Sequence, residues 1–388
     1  MSNQVNRRNF LKLSATAGAV LAMIPADIHA EETGIRKKKL PKRILGKRTG
    51  IKLPVLSMGV MRADNTSIVK AAYNSGIMMF DTANGYQNGK NEEMLGEFFA
   101  DKPRQSFILA TKIGEKPEEG AAARFLEKFE ISMKRLKMSY VDILYVHGLN
   151  NAEHVNDAEI MEVMLKLKKD KRIKYIGVST HSNEPTVIHA AVDNGNYDVV
   201  LTAYNYTQKH LSELNPAIER AAKAGLGIVA MKTMAGGYLD RERTQKVNTR
   251  AALKWALQNP NIHTAIPGFT SFNELKESLE SAMNLKMNKE EKKYLSASHS
   301  SLYCQGCHIC TAQCPKRLPI PEMMRAYMYH YGYKSPALAK EVIDELSLAI
   351  EPCGDCTVCH VTCTAGFQVA AKIKDIARLQ YVPKEFLV

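Results

Sequence analysis

The chain has 388 residues, of which 45% are hydrophobic and 24% charged, and its formal net charge is +13. That balance excludes a disordered or fibrous chain, and the length suffices for one large domain with a smaller second one. The basic excess comes without interleaved aromatics or a recognition motif, so nucleic acid is not an expected partner.

Reading from the N-terminus, Asn6-Arg7-Arg8-Asn9-Phe10-Leu11-Lys12 precedes a weakly apolar stretch, Leu13 to Ile24, and a small residue, Ala30. This pattern is a twin-arginine export leader over residues 1–30. Its apolar part is too short, and too rich in Ala, Gly, Ser and Thr, to span a bilayer. No transmembrane segment is expected in the mature chain. The leader contains no cysteine for lipid attachment. The leader implies a periplasmic location and a fold completed, with any cofactor, before export. Residues 31–40 read as a basic linker. Without the leader the chain keeps about +11, which would steer an acidic redox partner.

From about Pro41 to Ser298, short apolar runs alternate with amphipathic stretches. The runs Leu56–Gly59, Met78–Asp81, Phe107–Lys112, Ile143–His147, Tyr175–Ser179, Val199–Ala203, Gly227–Met231 and Thr264–Pro267 read as strands. Gly120–Leu136, Ala158–Lys169, Pro216–Ala224 and Asn288–Ala297 read as helices among them. Eight βα units in this length predict a TIM (β/α)8 barrel over 41–298. A doubly wound sheet is the alternative, and it lacks the Gly-x-Gly-x-x-Gly turn after any strand.

Barrel chemistry sits at the C-terminal ends of strands. Those ends carry Asp81, Lys112 and His147, and Tyr86 lies in the loop after Asp81. Singly, each has a structural explanation as a cap, a solvated lysine or a buried histidine. Together they place four polar groups at one mouth.

The last quarter, residues 299–388, holds all eight cysteines. Cys304, Cys307, Cys310 and Cys314 form C-x2-C-x2-C-x3-C, followed by Pro315, and Cys353, Cys356, Cys359 and Cys363 repeat the spacing. It is the signature of a [4Fe–4S] ferredoxin. Disulfides and zinc fit it less well, because cysteines three apart rarely pair and zinc sites alternate two short pairs across a spacer. Thr364 replaces the second proline. Ile320–Tyr331, Pro336–Leu348 and Phe367–Leu379 read as helices, giving a small, mainly helical two-cluster ferredoxin-like domain. Its Tyr327, Tyr329, Tyr331 and Tyr333 are expected to pack on the barrel with their hydroxyls at the rim.

Phe-Asp-Thr-Ala-x-x-Tyr (Phe80–Tyr86), Ala-Thr-Lys (Ala110–Lys112), Tyr-Val-His (Tyr145–His147) and Gly-Val-Ser (Gly177–Ser179) resemble the aldo-keto reductases over residues 41–298. The whole chain resembles the branch that carries a C-terminal [4Fe–4S] domain. The resemblance implies that Tyr86 protonates a carbonyl oxygen as hydride reaches the carbon. Lys112 would lower the Tyr86 pKa, Asp81 would hold Lys112, and His147 would orient the carbonyl. In reverse the same groups oxidise an alcohol. The resemblance to two-cluster ferredoxins implies that Cys304, Cys307, Cys310 and Cys363 bind one cubane and Cys353, Cys356, Cys359 and Cys314 the other.

The family binds NAD(P), and the matching positions here are Ser179, Lys232, Gly268 and Glu274. Ser179 matches the carboxamide serine. Gly268 and Glu274 stand where NADP-dependent members place Lys and Arg, so NADP is not favoured unless Lys232 compensates. The function expected is an exported oxidoreductase acting on a small carbonyl or alcohol, coupled through two [4Fe–4S] clusters to a one-electron partner protein. The alternatives are an electron-transfer protein whose barrel has lost nicotinamide binding, and an ordinary reductase with structural clusters.

Overall fold

A computed structural model describes residues 40–387 except 116–117, 298–301, 347, 349–350, 355 and 357. The expected export leader and all but the last residue of the expected basic linker lie outside the described residues, as does the expected domain boundary after residue 298.

Two short strands, β1 (Lys42–Ile44) and β2 (Lys52–Pro54), form an antiparallel hairpin. Eight parallel strands follow: β3 (Met58–Gly59), β4 (Met79–Asp81), β5 (Ile108–Ile113), β6 (Val141–Val146), β7 (Ile173–Thr180), β8 (Val199–Ala203), β9 (Gly227–Met231) and β10 (Thr264–Ala265). They pair in sequence order, and the two edges meet. Leu56 bridges Ala265 and Gly59 bridges Gly268, with the Ser57 amide donating to the Ala265 carbonyl at 2.8 Å. The sheet is therefore a closed barrel, and the doubly wound alternative is excluded.

The strands form where they were expected because parallel strands are covered on both faces and read as unbroken apolar runs. Every residue of β5, β6, β8 and β9 is buried. Inside the barrel, Met79, Ile143, Tyr145, Val199, Leu201 and Val229 pack against Leu45 and Leu53 of the hairpin, which plugs the N-terminal end. The plug sits close: Gly46 has φ +68°, and a Cβ there would lie 2.4 Å from the Gly227 nitrogen, so only glycine fits. The helix expected from Pro216 starts five residues earlier, at Leu211, with Pro216 in its interior. Burial of Leu214 in the outer core extends it past the proline.

After β10 the described residues contain helices and turns and no further strand. Helices Ile320–Tyr327, Pro336–Glu345 and Val369–Ala377 enclose a second core with Met323, Met324, Ala339, Ile343 and Ile373. Barrel residues Ala203 and Ala235 join that core, so this segment lies on the mouth of the barrel. Gly332 is pressed on it, since a Cβ there would lie 3.0 Å from the Gly236 carbonyl. No described helix is long and apolar enough to cross a membrane.

His263, just before β10, accepts the Ile228 amide on Nδ1 at 2.8 Å. Burial, and then Arg43, push its pKa down from 6.5 to about 4. The unfolded chain takes up this proton below pH 6.5 and the folded chain only near 4, so stability is lost as pH falls across that window. His263→Asn keeps an acceptor without the titration, and is expected to flatten that slope in denaturant unfolding measured across the same pH range.

Candidate active site at the barrel mouth

Strand register builds the site. Asp81 pairs with Ala110, and Lys112 lies two residues beyond on the same face of β5. Lys112 in turn pairs with Tyr145, and His147 lies two residues beyond on the strand-end side of β6. Each chemical residue thus stands one step further round the tilted barrel, and side chains spaced by two point the same way.

Lys112 is the centre. Its Nζ lies 2.5 Å from Asp81 Oδ1, 2.6 Å from the Thr82 carbonyl and 3.4 Å from the Tyr86 hydroxyl. Asp81 and Lys112 are buried at 2% and 1% exposure. Burial pushes the Asp81 carboxyl up and the Lys112 ammonium down, and their mutual attraction opposes both. The His147 ring sits edge-on to Tyr86, with centroids 6.1 Å apart. Burial, then Lys112, Arg325 and Lys232, hold its pKa well below the ordinary imidazole value, so it is neutral. All four sequence-predicted residues are together.

The loop that delivers Tyr86 is braced from behind. Gln87 and Asn88 adopt left-handed backbone, and Gln87 Nε2 donates to the Met61 and Ala63 carbonyls at 3.1 Å each. Asn91 donates to the Val60 carbonyl at 2.8 Å and accepts from Thr82 Oγ1 at 2.7 Å. The rest of the stretch Asn84–Asn91 around Tyr86 is scaffolding for the tyrosine.

The Lys112 ammonium at the Tyr86 hydroxyl does not by itself fix the acidity of that phenol. Burial, then Asp81 and Tyr329, push the phenol above its ordinary value, and Lys232 and Arg325 offset this only in part. Tyr86 therefore holds its proton at neutral pH.

A cavity of about 140 Å³ opens beside the tetrad, lined by Asp81, Tyr86, Lys232 and the segments after β9 and β10. Four buried polar atoms among its lining residues have no partner: Asp81 Oδ2, His181 Nδ1, Thr233 Oγ1 and Arg243 Nε. Unsatisfied buried groups are costly, and a polar ligand would satisfy them. Gly268 and Glu274 line the cavity as expected. The Glu274 carboxylate accepts the Thr270 amide at 2.8 Å and hydroxyl at 3.0 Å. Arg243 and Lys246 line it too, supplying cations that the Gly268 and Glu274 positions lack. Ser179 does not line it. Its hydroxyl accepts the Gly148 amide at 2.9 Å, bracing the β6 loop.

The C-terminal segment enters the site, which the sequence did not reveal. Lys232 Nζ donates to the Tyr329 hydroxyl at 3.0 Å. Burial raises the Tyr329 phenol, but Lys232, Arg325 and Lys112 more than offset it and leave it below its ordinary value. Tyr333 stacks on Tyr329 at 5.5 Å and lies under Arg62. Thus Tyr329 and Tyr333 face the mouth, while the Tyr331 hydroxyl bonds Asp375 at 2.6 Å on the other side. The expectation of four hydroxyls at the rim fails for Tyr329, whose hydroxyl is interior. The π-helical turn Met328–Gly332 aids this division.

The family model described as Aldo/keto reductase family matches residues 56–250, half of the chain. The chain belongs to the aldo/keto reductase family. An uncharacterized oxidoreductase of Bacillus subtilis, YqkF, is 26% identical over 298 residues, covering 67% of this chain and 95% of that protein. L-galactose dehydrogenase of Arabidopsis thaliana is 25% identical over 291 residues, covering 64% and 89% respectively. Among solved structures, an aldo-keto reductase from Bacillus halodurans in its holo form superposes with a TM-score of 0.55 at 24% identity. That match covers 69% of this chain and 99% of that one.

The cysteines form a second candidate site. None is paired in a disulfide, and among the described residues no three His, Cys, Asp or Glu side chains converge as for a single ion. Cys304, Cys307, Cys310 and Cys363 instead stand around one cavity. The two motifs interleave: Cys307 Sγ lies 3.9 Å from Thr364 Oγ1, and Gln313 Oε1 accepts the Thr362 amide at 2.7 Å. The amides of Gly306 and Ala365 donate to the sulfurs of Cys304 and Cys363 at 3.4 Å. Burial pushes the Cys304 thiol up to about 12, with Cys310, Cys363 and Cys307 adding to the shift. Cys353 is raised by burial and then by Cys356, Cys359 and Cys314.

Asp81→Ala would leave Lys112 buried without its carboxylate, and is expected to cost about 3–5 kcal/mol. In the double variant with Lys112→Met the loss should be smaller than the sum of the single losses, as read from denaturant unfolding.

Proposed function

We propose that the chain is an oxidoreductase that reduces a small carbonyl compound or oxidises the matching alcohol at the tetrad, and that its cysteines hold two [4Fe–4S] clusters. The observation that carries the first part is the Lys112 ammonium set between Asp81 and Tyr86, which line an open cavity with unsatisfied polar atoms.

The residues around the cavity fit a nicotinamide dinucleotide, which supplies or accepts the hydride when bound. The β9 and β10 segments, including Thr233, Gly268 and Arg243, would hold it. The chain's own work is proton placement. In reduction Tyr86 gives its hydroxyl proton to the substrate oxygen as that oxygen gains charge. The resulting phenolate lies 3.4 Å from the Lys112 ammonium, which stabilises it. Asp81 keeps that ammonium charged and aimed. Neutral His147 can donate a hydrogen bond to the substrate oxygen but not a proton. Run backwards, the phenolate form of Tyr86 takes the alcohol proton. Tyr86→Phe is expected to lower kcat by about 10²–10⁴-fold with little change in dinucleotide affinity, read by steady-state rates and nicotinamide fluorescence. NADH and NADPH titrated side by side would decide between the mixed charges of Glu274 and Arg243.

The cysteine geometry supports clusters in the crossed arrangement, with Cys363 serving the group of Cys304, and Cys314 the group of Cys353. Thiols spread around a cavity, with amides donating to sulfur, suit a cluster better than a single ion. Export by the twin-arginine route and a one-electron partner remain part of this proposal, resting on the leader sequence and the cluster motifs. Protein from the exported fraction, purified anaerobically, is expected to contain about eight iron atoms per chain, four per cubane. Cys363→Ala should lose the cluster of Cys304. A zinc-loaded or iron-free native protein would overturn the cluster assignment and leave the tetrad untouched.

A further inference from the structure

Behind the tetrad cavity lies a second one of about 30 Å³, lined by His181, Ser182, Lys232, Cys304, Glu322 and Arg325 among others. His181 and Lys232 line both cavities. The two are neighbours that share those side chains in their walls, and the smaller reaches under the helix Ile320–Tyr327 of the C-terminal segment.

Several buried or half-buried cations of the molecule meet carboxylates: Lys112 with Asp81, Arg104 with Asp142, Lys254 with Glu291. Arg43 instead meets the Leu257, Asn259 and Ile262 carbonyls. Lys232, Arg325 and Arg62 have no carboxylate within ion-pair distance among the described residues. Lys232 meets only a phenol, Tyr329, at 3.0 Å. Burial lowers its pKa, but Tyr329, Tyr333 and Tyr86 more than offset this, and it stays cationic. Glu322 lines the smaller cavity and forms no ion pair with Arg325. His181, with Nδ1 buried and unpartnered, is neutral, its pKa held far down by burial and then by Arg325 and Lys232. Partly buried cations without counter-charge are costly, and an anion brought by a ligand would relieve that cost.

We propose that the substrate of the tetrad carries a carboxylate, bound by Arg325 and Lys232, so that the C-terminal segment selects α-oxo or hydroxy acids for the barrel. The inference rests on the reductase reading above. The smaller cavity has room for a group of carboxylate size and not for a dinucleotide pyrophosphate, which the larger one accommodates. Arg325 offers a planar fork for two carboxylate oxygens, a geometry lysine cannot copy. Lys232 belongs to the wall of both cavities and can hold the acid group while the neighbouring carbonyl carbon faces Tyr86.

Isothermal titration of the full-length protein, saturated with dinucleotide, should compare glyoxylate and pyruvate with pyruvamide and with glycolaldehyde phosphate. The acids are expected to bind at least about tenfold more tightly than the amide, as for a hydrogen-bonded charge pair. Arg325→Gln should erase that preference through weaker acid binding with amide binding unchanged, and Arg325→Lys should restore part of it. Lys232→Met gives a second, independent loss if Arg325→Gln folds poorly. Tyr86→Phe should abolish turnover while leaving the preference for acids intact, which separates the anion site from the chemistry. Equal binding of acid and amide would overturn the proposal, as would a preference that survives both Arg325→Gln and Lys232→Met, or tighter binding of the phosphate. Absence of turnover on any carbonyl with either nucleotide would instead defeat the reductase reading, whatever the binding results.

Discussion

The ammonium of Lys112 is the constraint on which the rest of the mouth depends. Its three partners come from β4, from the residue just after it, and from the loop that follows. A charge at 1% exposure survives only with a counter-ion and filled hydrogen bonds. Asp81 supplies the first, and the Thr82 carbonyl and Tyr86 hydroxyl supply the rest. The pair therefore fixes the end of β4 against β5, and with it the path of the loop toward Tyr86. Bracing by Gln87, Asn91 and the Arg135 bond to the Asn84 carbonyl at 2.9 Å completes the job from outside the cavity. A site so over-determined can hold a phenol proton in place without help from mobile groups.

The barrel was readable because both faces of its strands are buried. Where a strand is apolar throughout, its residues announce it, and its last polar residue marks the mouth. Asp81, Lys112 and His147 are found this way. The same stagger of two residues per strand continues to His181: β6 and β7 align Val146 with Val178, and His181 stands beyond Thr180 at the next step. Applying the step once more would have found it from sequence, since its only mark is position. Ser179 shows the converse. It matches a family position, yet its hydroxyl is engaged by the Gly148 amide, because a side chain inside a strand end serves whichever backbone group lies across the pair.

The parts that were not legible all depend on how the C-terminal segment docks. Lys232 and Tyr329 are separated by 97 residues and meet only because two cores share Ala203 and Ala235. No periodicity within either segment encodes that contact. In sequence, tyrosines at positions 327, 329, 331 and 333 suggest only a set packed on the barrel with hydroxyls at the rim. A π-helical turn instead sends two of them to the mouth and two toward Arg241 and Asp375. The surroundings of Tyr86 were only partly legible for the same reason. From sequence, its neighbour is Lys112. In the folded chain burial, and the Tyr329 hydroxyl brought by the C-terminal segment, push its pKa up.

That lid changes what the barrel can be used for. An open barrel mouth lets substrate loops vary freely, whereas here the mouth is roofed by a segment that also carries the cysteines. Cys304 and Arg325 line the same small cavity, and His181 and Lys232 connect it to the tetrad cavity. Any ligand held by Arg325 would therefore lie between Tyr86 and Cys304. Hydride chemistry moves electrons in pairs and an iron–sulfur cluster moves them singly, so proximity alone does not couple the two. What the shared cavity does impose is a mechanical and electrostatic link. Charge placed on the cysteine group, or an anion placed on Arg325, acts on the same cations that bear on Tyr86 and Tyr329. Those phenols sense Lys232 and Arg325 directly. The acidity of Tyr86 is thus tied to what occupies the roof, and this dependence cannot arise in a barrel of the family that lacks one.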